Sequence, residues 1–253
     1  MTEWSAAQYL KFAGQRTRPA IDLLARVARD APANVIDLGC GPGNSTALLA
    51  ARWPDARVCG LDNAADMLAT ARRDHPAITW IEADLATWMP DARYDVVYSN
   101  AALQWVPDHA TLFPRLLGAV RPGGVLAVQV PRTAGPAHTL IREIARAGPW
   151  AERLAGRARA HVQPPGFYYD LVAPRVRQVD LWETEYHQVM ADTAAIVEWV
   201  KGTALRPFVG LLSDEEHAAF MARYRAALEA AYPRQADGHV IFPFRRLFLV
   251  CET

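Results

Sequence analysis

Apolar and polar positions follow two periods along this chain, and the two periods alternate. Short apolar runs that end at glycine, proline or acidic residues indicate buried strands, and apolar positions three and four apart in the intervening segments indicate helices. Five strands are predicted in the first half, one in the run NVIDL that starts at Asn34 and the others at Ala56–Asp62, Ile78–Asp84, Tyr94–Asn100 and Val125–Val130. Strands that alternate with helices in this way are typical of an α/β fold.

The pattern changes after the fifth strand, where residues 131–178 are rich in Arg, Ala, Gly and Pro. The elements predicted in this second half are a helix at His138–Arg146, a strand at Val179–Met190, a helix at Thr193–Lys201, an amphipathic helix at Asp214–Tyr232 capped by Ser213, and a strand at Arg246–Cys251. Each of the two strands predicted in this half therefore follows a helical segment.

The first strand runs directly into three glycines at alternate positions, Gly39, Gly41 and Gly43. Glycine tolerates positive φ and allows close backbone approach. A turn of this kind opens a helix, with Ser45 as the expected cap, and directs backbone N–H groups at a ligand. A dinucleotide fingerprint has a further glycine where this chain has Asn44, so the spacing disfavours a nicotinamide cofactor. A purely structural turn is the alternative explanation.

Acidic residues end the next two predicted strands. Asp62 ends the second, where nucleotide-binding sheets place a carboxylate that accepts both ribose hydroxyls. Asp84 ends the third, a position at which a dehydrogenase has no comparable need for an acid. For either residue, capping a helix or lying in solvent is the alternative.

The segment DLGCGPG resembles motif I of the Rossmann-like S-adenosyl-L-methionine (SAM) methyltransferases, in which the loop wraps the amino-acid end of the cofactor. The resemblance implies an α/β fold with a Rossmann-like seven-stranded sheet, mostly parallel, whose last inserted strand runs antiparallel. It also implies one domain over 1–253, with a core at 30–131 and 178–253 and a helical lid from 1–20, 132–177 and 192–235. The lid is expected at the carboxyl edge of the sheet, where open α/β sheets bind ligands.

Six segments narrow the resemblance to one family. They are YLKFAGQRTRPAIDLLARV, VIDLGCGPGNSTALLAARWP, SNAALQWVPDH, VDLWETEYHQ, WVKGTALRP and IFPFRRLFLV. Together they resemble the trans-aconitate methyltransferases, which transfer the SAM methyl group to one carboxylate of trans-aconitate and form a monomethyl ester. The segments SNAALQWVPDH and FPFRRLF are the most specific, because they lie outside the generic cofactor site. Residues 147–167 match no signature of the family.

The resemblance implies SAM as cofactor, S-adenosyl-L-homocysteine as its product, and no metal. The residues expected to bind the cofactor are Asp37, Gly39, Gly41, Asp62, Asn63, Met67, Asp84, Leu85 and Asn100. The residues expected to bind the acid are Tyr9, Phe12, Arg16, Gln104, Trp105, Tyr168, His187, Arg206 and Arg245. Core packing is the alternative for Trp105, and His109 is expected at a helix start or on the surface.

Methyl transfer to a carboxylate requires no general base, because a carboxyl group with a pKa near ~4 is already ionised at neutral pH. We therefore expect no acid–base catalytic residue. The protein has to align oxygen, carbon and sulfur and to hold the remaining carboxylates, for which the planar fork of arginine is suited. Arg245 and Arg246 are adjacent on a predicted strand, so at most one of them faces the pocket.

Charge and composition suit an enzyme with a small polycarboxylate as its partner. The 253 residues contain 27 Lys plus Arg and 27 Asp plus Glu, so no overall field favours nucleic acid or an anionic membrane. The three cysteines lack metal-ligand spacing and are expected to be packing residues in a reducing compartment. The N-terminus lacks an export signal, no apolar run approaches ~20 residues, and a cytoplasmic location is expected.

Three alternatives stay open from the sequence. The first keeps the SAM site but methylates another small carboxylic acid or a secondary metabolite. The second is a nicotinamide-dependent oxidoreductase, and the third is a protein that binds SAM without catalysis. The sequence leaves the oligomeric state undetermined.

Overall fold

The computed structural model describes residues 13–90, 92–132, 135–156 and 161–253, with side chains from residue 17 onward. The strands are β1 (Asn34–Leu38), β2 (Arg57–Asp62), β3 (Thr79–Glu82), β4 (Tyr94–Asn100), β5 (Val120–Arg132), β6 (Gln178–Met190) and β7 (Val240–Glu252). They form one seven-stranded sheet in the order β3-β2-β1-β4-β5-β7-β6.

The first five strands of the sheet are parallel, and the inserted strand β7 runs against its neighbours. At the start of β5 the Gly123 N–H donates to Thr253 O, and the Thr253 N–H donates to Gly124 O, each over 3.0 Å. At the start of β6 the Arg177 N–H donates to Glu252 O. The end of β7 thus meets the beginnings of both flanking strands, which confirms the predicted antiparallel insertion.

Helices connect the strands and make up much of the second half of the chain. They are α1 (Ala13–Ala25), α2 (Asn44–Arg52), α3 (Ala65–Asp74), α4 (His109–Gly118), α5 (Pro136–Ala147), α6 (Ala151–Leu154), α7 (Pro165–Val172), α8 (Thr193–Lys201), α9 (Arg206–Val209) and α10 (Asp214–Ala231). Short 3-10 turns occupy Leu103–Trp105 and Ala173–Arg175. Within the described ranges, no helix combines the length and the apolar character needed to cross a membrane.

The chain divides into two compact units. The larger contains the described parts of Glu3–Pro131, His161–Thr184 and Arg246–Thr253, and the smaller contains those of Arg132–Ala160 and Glu185–Arg245. The segment 161–177, which the sequence assigned to a lid, groups with the larger unit.

The two faces of the sheet in the larger unit differ in chemistry. One face is apolar and packs on α4 and α7 through a cluster that includes Leu38, Val97, Val128, Leu249, Phe113 and Val172. On the opposite face, the Tyr98 hydroxyl donates to Ala20 O of α1 over 2.7 Å, so α1 covers that face. Because side chains alternate along a strand, the residues in phase with Tyr98 point toward the α1 side.

The predicted elements are present, but several boundaries differ. Strand β3 ends at Glu82, two residues before the predicted acid, and β5 begins at Val120 rather than at Val125. The predicted Ser45 cap is wrong. The N-cap residue of α2 is Gly43, which has a left-handed conformation, and Ser45 lies inside the helix, which begins at Asn44. The Ser213 cap of α10 is confirmed as a reciprocal capping box with Glu216.

Candidate active site

The glycine turn after β1 adopts a conformation that only glycine accommodates easily. Gly39, Gly41 and Gly43 have φ of +72°, +55° and +95°. A Cβ on Gly39 would lie 2.1 Å from the Ala102 Cβ, so that position cannot carry a side chain. A Cβ on Gly41 would meet no described atom within 4 Å. The backbone of Gly41 is therefore open to a ligand, whereas Gly39 brings the turn against the segment after β4.

Asp37 lies beneath this turn and is fully buried. Its Oδ2 accepts hydrogen bonds from the hydroxyls of Ser45 at 2.6 Å and Thr46 at 2.7 Å, which ties β1 to the first turn of α2. Desolvation raises the Asp37 pKa to about 6 against the opposing effect of the two hydroxyl donors. Asp37 thus fixes the path of the turn from below.

Asp62 ends β2 and reaches the same turn. One of its oxygens accepts from the Gly41 N–H at 2.8 Å and the other from the Ala64 N–H at 2.9 Å. Each oxygen of a carboxylate accepts two hydrogen bonds, so both retain an acceptor position. Of the next two candidates, Asn63 is exposed and Met67 is buried in α3.

The loop after β3 carries Asp84 and Leu85. Asp84 is exposed and accepts from the Ala86 N–H at 2.9 Å, while Leu85 is buried. Arg115 of α4 donates to Leu85 O at 2.6 Å and to Ala86 O at 2.9 Å. The arginine therefore holds the backbone beside which an adenine ring is expected, a role that the sequence analysis missed because the two segments are far apart in the chain.

Three buried polar side chains lie on neighbouring strands at the carboxyl end of the sheet. Asn100 ends β4 and is in register with Gln129 of β5, and Arg246 of β7 donates to Gln129 Oε1 at 3.3 Å. All three are at most 9% exposed. Gln129 was not proposed from the sequence, although it interrupts the apolar run VLAVQV. Arg246 was considered there only as the alternative to Arg245.

A 3-10 turn after β4 presents Gln104 and Trp105. Trp105 is 46% exposed, which argues against the alternative of core packing, and Gln104 Nε2 donates to Ala101 O at 2.6 Å. His109 starts α4, as expected, but its side chain is buried and its Nε2 is 2.9 Å from Leu103 O. A carbonyl oxygen only accepts, so Nε2 carries the proton, and the imidazole holds the turn in place.

Comparison with known proteins identifies the family. Residues 35–124 match a family model described as a methyltransferase domain. A trans-aconitate 2-methyltransferase of Azoarcus sp. (strain BH72) is 56% identical over 252 residues, covering 99% of both chains. One of Methylobacterium radiotolerans is 52% identical and covers 100% of this chain and 99% of the relative. The chain belongs to the trans-aconitate 2-methyltransferase family. The family and enzyme class predicted from the sequence are confirmed, and neither the oxidoreductase nor the non-catalytic alternative gains support.

Solved structures agree on the fold. A phosphoethanolamine N-methyltransferase 2 of Haemonchus contortus, in complex with SAM, superposes with a TM-score of 0.59 at 16% identity, over 96% of this chain and 56% of that chain. This chain therefore spans little more than half of that protein. A SAM-dependent methyltransferase of Mesorhizobium loti gives a TM-score of 0.53 at 23% identity, over 94% of this chain and 98% of that chain. The predicted Rossmann-like methyltransferase sheet is confirmed.

Tyr168 corrects one predicted substrate contact. Its ring is 1% exposed and packs against His109 and Phe113, with ring centroids 5.7 and 4.9 Å away. Its hydroxyl donates to His109 Nδ1 at 2.6 Å and accepts from the Gln163 N–H at 3.0 Å. A buried hydroxyl with both functions in use is a structural group, so Tyr168 ties α7 to α4 and does not contact a substrate.

Two further candidates in the smaller unit, His187 and Arg245, share one acidic neighbour. Glu185 Oε1 is 3.5 Å from His187 Nε2, and Glu185 Oε2 is 3.2 Å from an Arg245 guanidinium nitrogen. Both candidates are exposed, whereas Arg246 is buried. The two adjacent arginines thus point in opposite directions, as expected from strand alternation. In the same unit, Arg206 begins α9 and is half-buried.

The N-terminal candidates are not positioned. Tyr9 and Phe12 lie outside the described residues, and Arg16 belongs to the first turn of α1 without a described side chain. Their expected role in binding the acid stays a prediction.

Two cysteines of the larger unit are unsuited to nucleophilic chemistry. Burial raises the pKa of the Cys40 thiol far above its usual range and that of Cys251 to about 12. Both therefore stay protonated at neutral pH, which accords with a packing role.

Proposed function

We propose that this protein transfers the methyl group of SAM to one carboxylate of trans-aconitate and forms a monomethyl ester. The observation that carries the proposal is the end-to-end identity, 56% over 252 residues, with a relative named for that activity. Support also comes from the site, because a turn shaped for a ligand and a row of buried polar groups lie at one end of one sheet.

The residues around the glycine turn suit SAM. The open backbone at Gly41 would face the amino-acid end of the cofactor, and Asp62 retains acceptor positions for the two ribose hydroxyls. Asn100 Oδ1 is buried and has no hydrogen-bond partner among the described residues, so it fits an ammonium donor. Asp84 and Leu85 would contact adenine, with Asn63 and Met67 at the ribose side. Asp37 would act on the cofactor through the turn.

When bound, SAM supplies an electrophilic methyl group on a sulfonium. The carboxylate oxygen is already ionised at neutral pH, so no residue has to remove a proton from it. The protein contributes by holding the acid in line with the carbon–sulfur bond and by excluding water, and such positioning supplies on the order of 7–11 kcal/mol. Gln104 and Trp105 would contact the acid beside Asn100.

We propose that the cations Arg16 and Arg206 bind the outer carboxylates. Tyr9 and Phe12 are proposed as further contacts to the acid. His187 and Arg245 remain weaker candidates, because Glu185 beside both would repel an anion.

Steady-state kinetics with trans-aconitate, cis-aconitate, isocitrate and citrate test the proposal. We expect the highest kcat/KM for trans-aconitate, and Arg206→Ala should raise KM for the acid much more than KM for SAM. Arg234→Ala is the control, because Arg234 is an exposed arginine of the same unit that bonds only a turn carbonyl, Gly238 O, in the hydrogen bonds described. Faster turnover of another acid would redirect the substrate assignment. Equal effects of Arg206→Ala on both KM values would remove Arg206 from the site.

A further inference from the structure

The buried polar row lies level with the glycine turn. Asp37 is in register with Tyr98, so Gly39 and Asn100, two positions further along each strand, are at the same height. Asn100 is in register with Gln129 on the next strand. Neighbouring strands are about 4.8 Å apart, which puts Gln129 roughly 10 Å to one side of the turn. The row therefore extends from the cofactor site across β5 toward β7.

The members of the row share one face of the sheet. Asn100 and Gln129 are in phase with Tyr98, which contacts α1. Arg246 is in phase with Phe248, whose ring stacks on Trp182, and Trp182 in turn lies under the Arg26 guanidinium just after α1. The opposite face of the same strands carries the apolar cluster together with Ser99, whose hydroxyl donates to Leu38 O. Asn100, Gln129 and Arg246 thus lie on the side of the sheet that α1 covers.

Gln129 has a specific hydrogen-bonding arrangement. Its side-chain oxygen accepts from Arg246, which fixes the orientation of the amide. Its Nε2 is then a directed donor, and it is fully buried without a hydrogen-bond partner among the described residues. A buried donor of this kind destabilises the fold unless a ligand accepts from it. Beside a guanidinium, the ligand chemistry that fits is a carboxylate.

We propose that Gln129 and Arg246 form a subsite for one of the carboxylates that is not methylated. This inference rests on the proposed function and assigns to it a specificity determinant on the sheet itself. The Gln129 amide and the Arg246 guanidinium donate to the two oxygens of that carboxylate, while Gln104 and Trp105 lie on the side of Asn100. The subsite selects polycarboxylates, because a substrate that lacks this group leaves the amide donor unpaired.

The test measures equilibrium binding by calorimetry to the protein saturated with S-adenosylhomocysteine. Gln129→Glu keeps the acceptor for Arg246 but replaces the donor by a negative charge. We expect Gln129→Glu to weaken trans-aconitate binding roughly 10- to 100-fold, as for loss of a hydrogen bond to a charged group. Arg246→Lys should also weaken trans-aconitate binding.

Three dicarboxylates, itaconate, mesaconate and glutaconate, each lack a different carboxylate of trans-aconitate. One of the three should be weakened less than about threefold by Gln129→Glu, because it lacks the group that the subsite binds. Arg177→Lys is the matched control, since Arg177 is an exposed arginine of the same unit that pairs with Glu252 of β7. Thermal unfolding and S-adenosylhomocysteine affinity verify that the variants fold.

The outcomes separate the two proposals. Wild-type protein that neither binds nor methylates trans-aconitate overturns the proposed function and the subsite with it. Normal wild-type binding with an unchanged Gln129→Glu variant overturns the subsite alone. An equal loss of affinity for all three dicarboxylates in Gln129→Glu also overturns the subsite. A parallel loss of S-adenosylhomocysteine affinity overturns it too, because Gln129 would then act on the cofactor or on the fold.

Discussion

At the scale of single residues, a substitution at Gly41 distinguishes the effect of backbone strain on stability from the effect of ligand contact on affinity. Its φ is +55° and its Cβ position is open, so Gly41→Ala should fold with a loss of about 1–2 kcal/mol from left-handed strain. The added methyl group would project toward the cofactor, and affinity for S-adenosylhomocysteine should fall at least about tenfold by calorimetry.

Gly123 provides the matched control for that substitution. It also has positive φ, +74°, with an open Cβ position, but it lies at the start of β5, at the opposite end of the strand from Gln129. Gly123→Ala should show a similar loss of stability and unchanged affinity. Equal affinities for wild type and Gly41→Ala would contradict the assignment of the turn.

Asp37 gives the protein a pH-dependent stability term. The Asp37 pKa is about 6 in the folded state, against 3.8 for an ordinary Asp side chain in the unfolded chain. The folded state therefore binds more protons between these two pH values. Its contribution is therefore present at low pH and is lost as the pH rises through about 6. Relative to wild type, the free energy of unfolding of Asp37→Asn should rise by about 2–2.5 kcal/mol between pH 4 and pH 7, as measured by urea unfolding. A difference that is constant with pH would contradict the raised pKa.

Local signals explain which residues the sequence could identify. Gly39, Gly41 and Asp62 sit where an apolar run ends, and the chain order alone places them at one sheet edge. Gln129 and Arg246 are separated by more than a hundred residues, and their pairing depends on β7 inserting beside β5. Gln129 was visible as a polar residue in an apolar run and Arg246 as one of two adjacent arginines, but their hydrogen bond was not predictable.

At the scale of elements, the His109–Tyr168 hydrogen bond connects α4 to α7. Tyr168→Phe removes the hydroxyl that donates to His109 Nδ1 and accepts from the Gln163 N–H. We expect a loss of about 1–3 kcal/mol in the free energy of unfolding, because these groups are buried.

Tyr169→Phe is the control, since the neighbouring Tyr169 is 51% exposed, and it should change stability by less than about 0.5 kcal/mol. A Tyr168→Phe protein as stable as Tyr169→Phe would show that the bond contributes nothing. Burial also lowers the His109 pKa, so the neutral imidazole that accepts from Tyr168 is favoured.

Element types were predictable from periodicity, and contacts between elements were not. The helix at Thr193–Lys201 has its predicted bounds because its apolar positions recur at helical spacing. Tyr168 was assigned to the substrate because nothing local indicates that α7 packs on α4. Ser45 was assigned to a cap, and instead its hydroxyl satisfies a buried carboxylate beneath the turn.

At the scale of the whole molecule, cofactor binding should stabilise the fold. A ligand at 100 times its Kd adds about 2.7 kcal/mol to the free energy of unfolding. S-adenosylhomocysteine at that concentration should raise Tm by roughly 5–10 °C for a chain of this size. The same concentration of NAD should leave Tm unchanged, because Asn44 replaces the glycine that a pyrophosphate turn requires. A larger shift with NAD would contradict the cofactor assignment.

The mostly parallel seven-stranded sheet and the enzyme family were predictable from the sequence, because both followed from a resemblance carried by motifs along the whole chain. The division into two units was not, since it falls within β6 and β7, which are continuous strands with no linker signal at Glu185 or Arg246.

Transfer of an isotopically labelled methyl group tests the proposed chemistry most directly. The purified protein is incubated with ¹³C-methyl SAM and trans-aconitate, and the products are followed by NMR and mass spectrometry. We predict one labelled methyl ester per molecule of acid, an equal amount of S-adenosylhomocysteine, and release of the label as methanol in base. Label that stays on the acid after base treatment, or no transfer despite S-adenosylhomocysteine binding, would contradict carboxyl methylation.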